Sequence, residues 1–252
     1  MSQYVERFSS RVDNYVRYRP GYPTAIVDLL ATECGLTPQS VIADIGSGTG
    51  KLSEIFLANG NVVLGLEPNE GMRAAADVIL GKNPNFRSIN ASAEATTLPA
   101  SSVDLITAGQ AFHWFDLEKT KREWLRILKP SGWAVIIWNE RRLDTTAFLR
   151  DYEALLLKFG TDYQTIRHEN AIDGLKSFFA PKSPKLSSFD NVQLFDFEGL
   201  KGRVLSSSYT PEPGHPDFQP MLDELRVVFD RHQRDGQVSF DYDTRVFYSQ
   251  LQ

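Results

Sequence analysis

A glycine-rich turn, Gly46-Ser47-Gly48-Thr49-Gly50, directly follows an apolar run at 41–45 and precedes a helical pattern. Glycines at alternate positions let bare backbone approach a ligand at the carboxyl end of a strand. Asp44 lies just ahead of the turn, and its carboxylate can bind a cationic amino group through water. We therefore expect a small-molecule site at this strand end.

The spacing of the turn argues against two kinds of nucleotide-phosphate site. A dinucleotide fingerprint G-x-G-x-x-G that starts at Gly46 needs glycine or alanine where this chain has Lys51. A P-loop needs glycine at Ile45 and serine or threonine at Leu52. We therefore expect a ligand that is not held by phosphate groups.

A second acid, Glu67, ends the next apolar run and is followed by Pro68 and Asn69. A carboxylate at a strand end can accept hydrogen bonds from both hydroxyls of a ribose. We expect Glu67 to bind ribose in this way, with Pro68, Asn69 and Met72 beside the attached base.

Polar and aromatic residues also follow the third and fourth apolar runs. They are Asn90-Ala91-Ser92-Ala93-Glu94 and Gln110-Ala111-Phe112-His113-Trp114. The fourth strand should lie beside the first, so the second of these segments would face the ligand and its reaction partner. His113 is the candidate proton acceptor if the reaction requires one.

The stretch from Asp44 to Gly50 resembles motif I of the class I S-adenosylmethionine (SAM) methyltransferases. Residues 90–94 are similar to that family's adenine-reading segment, and residues 103–115 resemble type-11 methyltransferases, especially the trans-aconitate methyltransferase subgroup. The resemblance implies SAM as the cofactor, S-adenosylhomocysteine as its product and a small-molecule acceptor. It places His113 and Trp114 near the acceptor. The residues expected at the cofactor are Tyr18, Arg19, Asp44, Gly46, Ser47, Gly48, Gly50, Glu67, Pro68, Asn69, Met72, Ala93, Glu94, Gln110 and Ala111.

The segment Tyr18-Arg19-Pro20-Gly21-Tyr22-Pro23 is similar to the N-terminal lid of the same subgroup. The resemblance implies that this lid covers the cofactor, with Arg19 paired to the methionine carboxylate and Tyr18 packed on it. Residues 200–211 and 240–251 also match the subgroup, whereas residues 144–190 match it least.

Short apolar runs alternate with helical patterns, which predicts βαβ units and a parallel sheet. The predicted strands are 41–45, 62–66, 86–89, 103–107 and 133–138. The predicted helices are 23–34, 51–59, 69–80, 117–128, 144–159 and 217–234. Alternating runs at 192–198 and 238–248 predict an antiparallel pair that closes the sheet.

These elements and the resemblance together predict an α/β, Rossmann-like, doubly wound fold. The sheet is expected to have seven mainly parallel strands with helices on both faces. We expect one domain over residues 1–252: a lid and helix at 1–35, a cofactor-binding core at 40–139, an inserted helical cap at 140–190, and C-terminal strands and a helix at 191–252.

Composition excludes several other classes of protein. The 252 residues are 42% hydrophobic and 23% charged, unlike disordered or fibrous chains, and the net charge of −5 disfavours nucleic acid. The single cysteine, Cys34, and four scattered histidines leave no internal disulfide and no metal-ligand pattern. Without an apolar span or a secretory signal, we expect a cytoplasmic protein, monomeric or homodimeric, that binds no membrane.

The expected reaction is in-line methyl transfer to an acceptor atom held at ~3 to 3.5 Å from the methyl group. A carboxylate acceptor such as trans-aconitate needs no general base, whereas a hydroxyl or amine would need one. Arg141, Arg142 and Arg203 are the candidates to bind an acidic acceptor. Two alternatives stay open: a non-catalytic SAM-binding partner module, and a nicotinamide-dependent oxidoreductase, which Lys51 disfavours.

Overall fold

The computed structural model describes residues 12–161, 163 and 169–251, so the first eleven residues of the predicted lid lie outside the described residues. The described strands form one seven-stranded sheet. The strands are β1 (Val41–Ile45), β2 (Val62–Leu66), β3 (Phe86–Ile89), β4 (Val103–Gly109), β5 (Leu128–Arg141), β6 (Lys185–Phe195) and β7 (Val238–Ser249).

The helices are numbered along the described residues. They are α1 (Val12–Tyr18), α2 (Ala25–Cys34), α3 (Ser53–Ala58), α4 (Glu70–Leu80), α5 (Leu117–Ile127), α6 (Ala147–Phe159), α7 (Glu169–Phe179), α8 (Phe197–Leu205) and α9 (Phe218–His232). A single 3-10 turn, Phe112–Trp114, follows β4. Among the residues the structure describes, none of these helices is long and apolar enough to span a bilayer.

The strand order is β3-β2-β1-β4-β5-β7-β6. The first five strands run parallel, and β7 pairs antiparallel with both β5 and β6. This order confirms the predicted doubly wound fold and its closing antiparallel hairpin. Because β1 lies between β2 and β4, the loops that follow these three strands meet at the switch point of the sheet, where ligands of such folds bind.

Apolar helix faces cover both sides of the sheet. Helices α2, α3 and α4 bury Ile26, Phe56 and Leu80 against one face, and α5 and α7 bury Trp124 and Phe178 against the other. A third cluster joins α6, α8 and α9 to the ends of β6 and β7. The loops of the switch point therefore rest on a scaffold packed from both sides.

Residues 140–190 differ from the expected single cap. Helix α6 belongs to the cluster with α8 and α9, α7 packs with α5 on a face of the sheet, and β6 already begins at Lys185. The sequence pattern also missed α8, since Gly199 and Gly202 lower its helix propensity. Within that segment, residues 162 and 164–168 lie outside the described residues.

Candidate active site

The glycine turn leaves β1 at the switch point with backbone that only glycine adopts easily. Gly46 has φ +67°, its N–H donates to the Leu66 carbonyl over 2.8 Å, and a Cβ there would lie 2.5 Å from the Ala111 Cβ. The turn is thus fixed to both neighbouring strand ends, and substitution at Gly46 would disturb it.

Gly50 has a different role from the one expected. It has φ +87°, and a Cβ there would lie 2.3 Å from Leu80 Cδ1, but it lines neither of the cavities described below. Gly50 therefore allows α4 to pack against the turn and does not itself face a ligand.

Asp44 is fully buried at the end of β1. Its two carboxylate oxygens accept hydrogen bonds from Ser53 Oγ at 2.7 Å and from Thr107 Oγ1 at 3.0 Å. Burial raises the pKa of Asp44 to about 6, so the group is largely ionised at neutral pH. A buried carboxylate beside the turn is suited to binding a cationic amino group.

Glu67 connects the glycine turn to the next strand end. One of its carboxylate oxygens accepts from the Gly48 N–H at 2.9 Å and the other from the Asn69 N–H at 2.8 Å. Burial raises the pKa of Glu67 although both amides favour its charge. Each oxygen keeps a lone pair, so the carboxylate can also accept the two hydroxyls of a ribose.

Two cavities adjoin at the switch point. The large cavity has a volume of about 390 Å³ and the small cavity about 120 Å³, and Gln110 and Trp114 line both. The predicted residues that line the large cavity are Gly46, Gly48, Glu67, Pro68, Asn69, Met72, Ala93, Glu94, Gln110, Ala111 and Trp114. Those that line the small cavity are Arg19, Asp44, Gly46, Ser47, Gly48, Gln110, His113 and Trp114.

The boundary between the cavities is formed by residues that follow β4. Gln110 has φ +57°, an uncommon conformation for a residue with a side chain, and its Nε2 donates to the Asn139 carbonyl at 2.9 Å. The rings of His113 and Trp114 lie 4.4 Å apart between centroids. A backbone conformation as uncommon as that of Gln110 is frequent at functional sites.

The lid segment lies over the site, but Tyr18 does not enter it. Its ring packs so closely on α8 that a Cβ at Gly202 would lie 2.0 Å from it, and Tyr18 lines neither cavity. Instead Tyr15, which the sequence pattern did not single out, lines both cavities. Arg19 lines the small cavity, donates to the Ser206 carbonyl at 2.9 Å and lies over the Tyr15 ring.

The three candidate arginines have different surroundings. Arg141 is paired with Glu153, and Arg142 with Asp190 and Asp243. Arg203 lines the small cavity, and no carboxylate of a described residue lies within ion-pair distance of it.

Tyr209 and Tyr242 complete that wall of the small cavity, and no sequence motif gave either of them a role. Both lie in segments that resemble the trans-aconitate methyltransferase subgroup, and this resemblance is the sequence signal that could have identified them.

Within the described ranges, no group of three or more histidine, cysteine or acidic residues could hold a metal ion.

Comparison with known proteins agrees with this geometry. Residues 43–136 match a family model described as a methyltransferase domain, Methyltransf_11. An uncharacterized methyltransferase-like protein of Schizosaccharomyces pombe is 28% identical over 98% of this chain and 96% of its own length. An uncharacterized methyltransferase of Mycobacterium bovis is 33% identical over 53% of this chain and 52% of its own.

Solved structures show the same fold. A protein assigned as a type II methyltransferase from Anaeromyxobacter dehalogenans has a TM-score of 0.65 at 17% identity, covering 93% of this chain and 98% of its own. One assigned to an antibiotic biosynthesis pathway of Anabaena variabilis has a TM-score of 0.62 at 22% identity, with the same coverage of both chains.

The fold is that of solved methyltransferase structures, and the methyltransferase domain match covers the strands and loops that form the switch point. The domain match and these relatives show a SAM-dependent methyltransferase rather than a nicotinamide-dependent oxidoreductase. The donor set fits SAM: Glu67 offers acceptors for a ribose, Asp44 a charge for an ammonium group, and Arg19 a charge for a carboxylate.

Proposed function

We propose that the protein transfers the methyl group of SAM to a carboxylate of a small-molecule acceptor such as trans-aconitate, forming a methyl ester. The supporting observation is the small cavity, which is lined by two guanidinium groups, Arg19 and Arg203, and lies next to the large cavity. Asp44 lines the same cavity and is expected to pair with the ammonium group of SAM, so the carboxylate of SAM can balance only one of the two guanidinium charges. An acidic acceptor would balance the other.

Bound SAM supplies a methyl group that its positive sulfur has already activated. The chain has to bind and orient the acceptor and exclude water from it. Gln110 and Trp114, which line both cavities, are proposed to lie where acceptor and cofactor meet. The lid residues Tyr15 and Arg19 line the small cavity and are proposed to exclude water from it.

A carboxylate acceptor leaves His113 without a proton to remove. The carboxylate is already ionised at neutral pH and attacks through an oxygen lone pair, so no general base is needed. We propose that His113, whose ring lies beside that of Trp114, shapes the acceptor site instead.

The test is transfer of labelled methyl from SAM to a panel of carboxylates, including trans-aconitate, and of matched alcohols and amines. We expect label on the carboxylates in a product that releases methanol on mild alkaline hydrolysis, because esters are base-labile. A Glu67→Ala variant at the same concentration is the control for contaminating activity. Label only in alkali-stable ether or amine products would contradict the proposal.

A further inference from the structure

Arg203 is a buried charge on α8 with an unusual set of neighbours. It is 5% exposed, its Nε donates to Tyr242 Oη at 3.1 Å and its Nη1 to Ser207 Oγ at 3.1 Å. The guanidinium lies over the Phe240 ring at 5.3 Å. These partners are neutral, so the described surroundings orient the charge without cancelling it.

A second guanidinium shares one of these partners. Arg19 Nη2 lies 3.4 Å from the same Ser207 hydroxyl, and the Arg19 Nε is buried without an acceptor among the described residues. Burial and the charge of Arg203 lower the pKa of Arg19. Two like charges in one buried cluster are costly unless anions bind there.

Tyr209, which lines the same cavity, lies close to the same positive charges. Burial acts to raise the pKa of Tyr209, but the charges of Arg203 and Arg19, a hydrogen bond with Ser207 and the charge of Arg141 together lower it. A cavity of this kind favours a ligand that brings more negative charge than the single carboxylate expected to pair with Arg19.

An acidic group held by Arg203 is poorly suited to attack. Guanidinium hydrogen bonds engage carboxylate lone pairs and withdraw charge from the oxygens, whereas the attacking oxygen needs a free pair. Arg203 belongs to the wall formed with Tyr242, while Gln110 and Trp114 lie at the boundary between the cavities. Anchoring and attack therefore fall to different groups of the acceptor.

On this basis, and resting on the proposed function, we propose that Arg203 anchors an acidic group of the acceptor that is not itself methylated. The preferred acceptor then carries two acidic groups. An oxygen pair of the free carboxylate forms the new O–CH3 bond, the C–S bond breaks, and its electron pair returns to sulfur. No proton moves, and the anchored group leaves unchanged in a monoester.

Tyr242 is the positioning residue for this anchor. Its hydroxyl accepts from Arg203 Nε and donates to Gln193 Oε1 at 3.0 Å, and Gln193 Nε2 donates to the Tyr18 carbonyl at 3.3 Å. The chain of hydrogen bonds fixes the direction of the guanidinium and links it to the end of α1.

The test compares fumarate with crotonate, which have the same carbon skeleton and differ by one carboxylate. We expect wild-type kcat/KM to favour fumarate, and Arg203→Gln to lower that preference about 100-fold by reducing turnover of fumarate alone. Calorimetry on the S-adenosylhomocysteine complex should show fumarate binding lost in Arg203→Gln and retained in the control Arg142→Gln, whose parent residue pairs with surface acids. Affinity for SAM should stay within about twofold.

Equal losses of kcat/KM with fumarate and with crotonate would contradict the anchoring role of Arg203. A large loss of SAM affinity would also contradict it, because Arg203 would then bind the cofactor. If Arg203→Gln fails to fold, Arg203→Lys keeps the charge and should retain part of the fumarate preference. Failure of the wild type to methylate any carboxylate would refute the proposed function. Fumarate binding that depends on Arg203 would still support the anchor in that case.

Tyr242→Phe tests the positioning role without changing the shape of the wall. We expect KM for fumarate to rise about tenfold while KM for crotonate stays unchanged, with a modest loss of thermal stability because the Tyr242 hydroxyl makes two hydrogen bonds. A similar rise for both acids would show that Tyr242 is only structural.

Discussion

The two halves of the site are held in opposite ways. In the cofactor half, around the glycine turn, the carboxylates of Glu67 and of Asp44, which also lines the small cavity, lie at the ends of adjacent strands and accept hydrogen bonds from hydroxyls and amides. In the small cavity, the guanidiniums of Arg19 and Arg203 come from the lid and α8 and share the hydroxyl of Ser207. The carboxylates of the cofactor half have hydrogen-bond partners in the surrounding loops, whereas the small cavity brings two positive charges close together.

This difference separates binding of the cofactor from recognition of the specific acceptor. The cofactor half has its hydrogen bonds in place within the protein, as suits a ligand common to many enzymes of this fold. The other half carries the charge of Arg203, which has no carboxylate partner among the described residues and which an acidic acceptor would balance. The substrate preference is therefore expected to depend on α1, α8 and β7, and the following variants test this division.

The largest expected effect concerns the buried charge of Asp44. Its pKa is raised from 3.8 to about 6 in the folded protein, so folding above pH 6 requires burial of a charge that the unfolded chain keeps in water. The free energy of unfolding of wild type should therefore fall by about 3 kcal/mol, relative to Asp44→Asn, as the pH rises from about 4 to above 6. Urea unfolding of both proteins across this range measures the difference.

A pH-independent difference between wild type and Asp44→Asn would mean that Asp44 titrates normally. The same pair tests the cofactor half, because SAM affinity of wild type should decline below pH 6 as the carboxylate is protonated. Asp44→Asn should bind SAM weakly at every pH.

Removing the second carboxylate should have a smaller effect. Glu67→Ala is expected to weaken SAM binding by roughly 1 to 3 kcal/mol, because a charged acceptor is lost and the Gly48 and Asn69 amides lose their partner. Calorimetric titration with SAM gives the value. Glu67→Gln keeps the shape of the side chain, and its SAM affinity should lie between those of wild type and Glu67→Ala. Unchanged SAM affinity in Glu67→Ala would show that Glu67 does not belong to the site.

The cofactor half was predictable because its parts are local in sequence. Gly48, Glu67 and Asn69 lie within 22 residues of one another, and a glycine turn directly after a buried strand is typical of a ligand site. Parallel neighbours also bring successive strand ends to one edge, so order along the chain translates into position. Gly50 was the exception, because its close contact with Leu80 depends on helix packing that the motif alone does not show.

The small cavity could not be assembled from the sequence. Arg19 meets Ser206 across 187 positions, and nothing in the pattern distinguished Arg203 from the surface-paired Arg142. The start of β6, residues 185–191, was missed because its two serines, aspartate and asparagine are typical of loops. Charge pairing and lid contacts are properties of tertiary packing, and single residue types do not encode them.

An intermediate effect is expected where the lid packs on α8. In Gly202→Ala the new methyl group would collide with the Tyr18 ring, displacing α1 and with it Tyr15 and Arg19. We expect kcat/KM for the acceptor to fall about tenfold and thermal stability to drop, because the overlap with the Tyr18 ring costs more than the better helix propensity of alanine gains.

The matched control for the lid is Gly21→Ala, because a Cβ at Gly21 has no heavy atom within 4 Å. It should behave as wild type. Adding Tyr18→Ala to Gly202→Ala removes the colliding ring and should restore part of the activity. Full activity in Gly202→Ala alone would show that lid packing does not control the small cavity.

The smallest expected effect is that of His113→Ala. If the acceptor is a carboxylate, no proton has to be removed, and loss of the ring beside Trp114 should lower kcat by less than about threefold while SAM affinity is unchanged. Steady-state rates with trans-aconitate between pH 5.5 and 8.5 provide the measurement. A fall of about 100-fold, with loss of a basic group from the pH profile, would assign His113 as a general base. The acceptor atom would then be a hydroxyl or amine, and the excess positive charge of the small cavity would bind a part of the acceptor remote from the reaction.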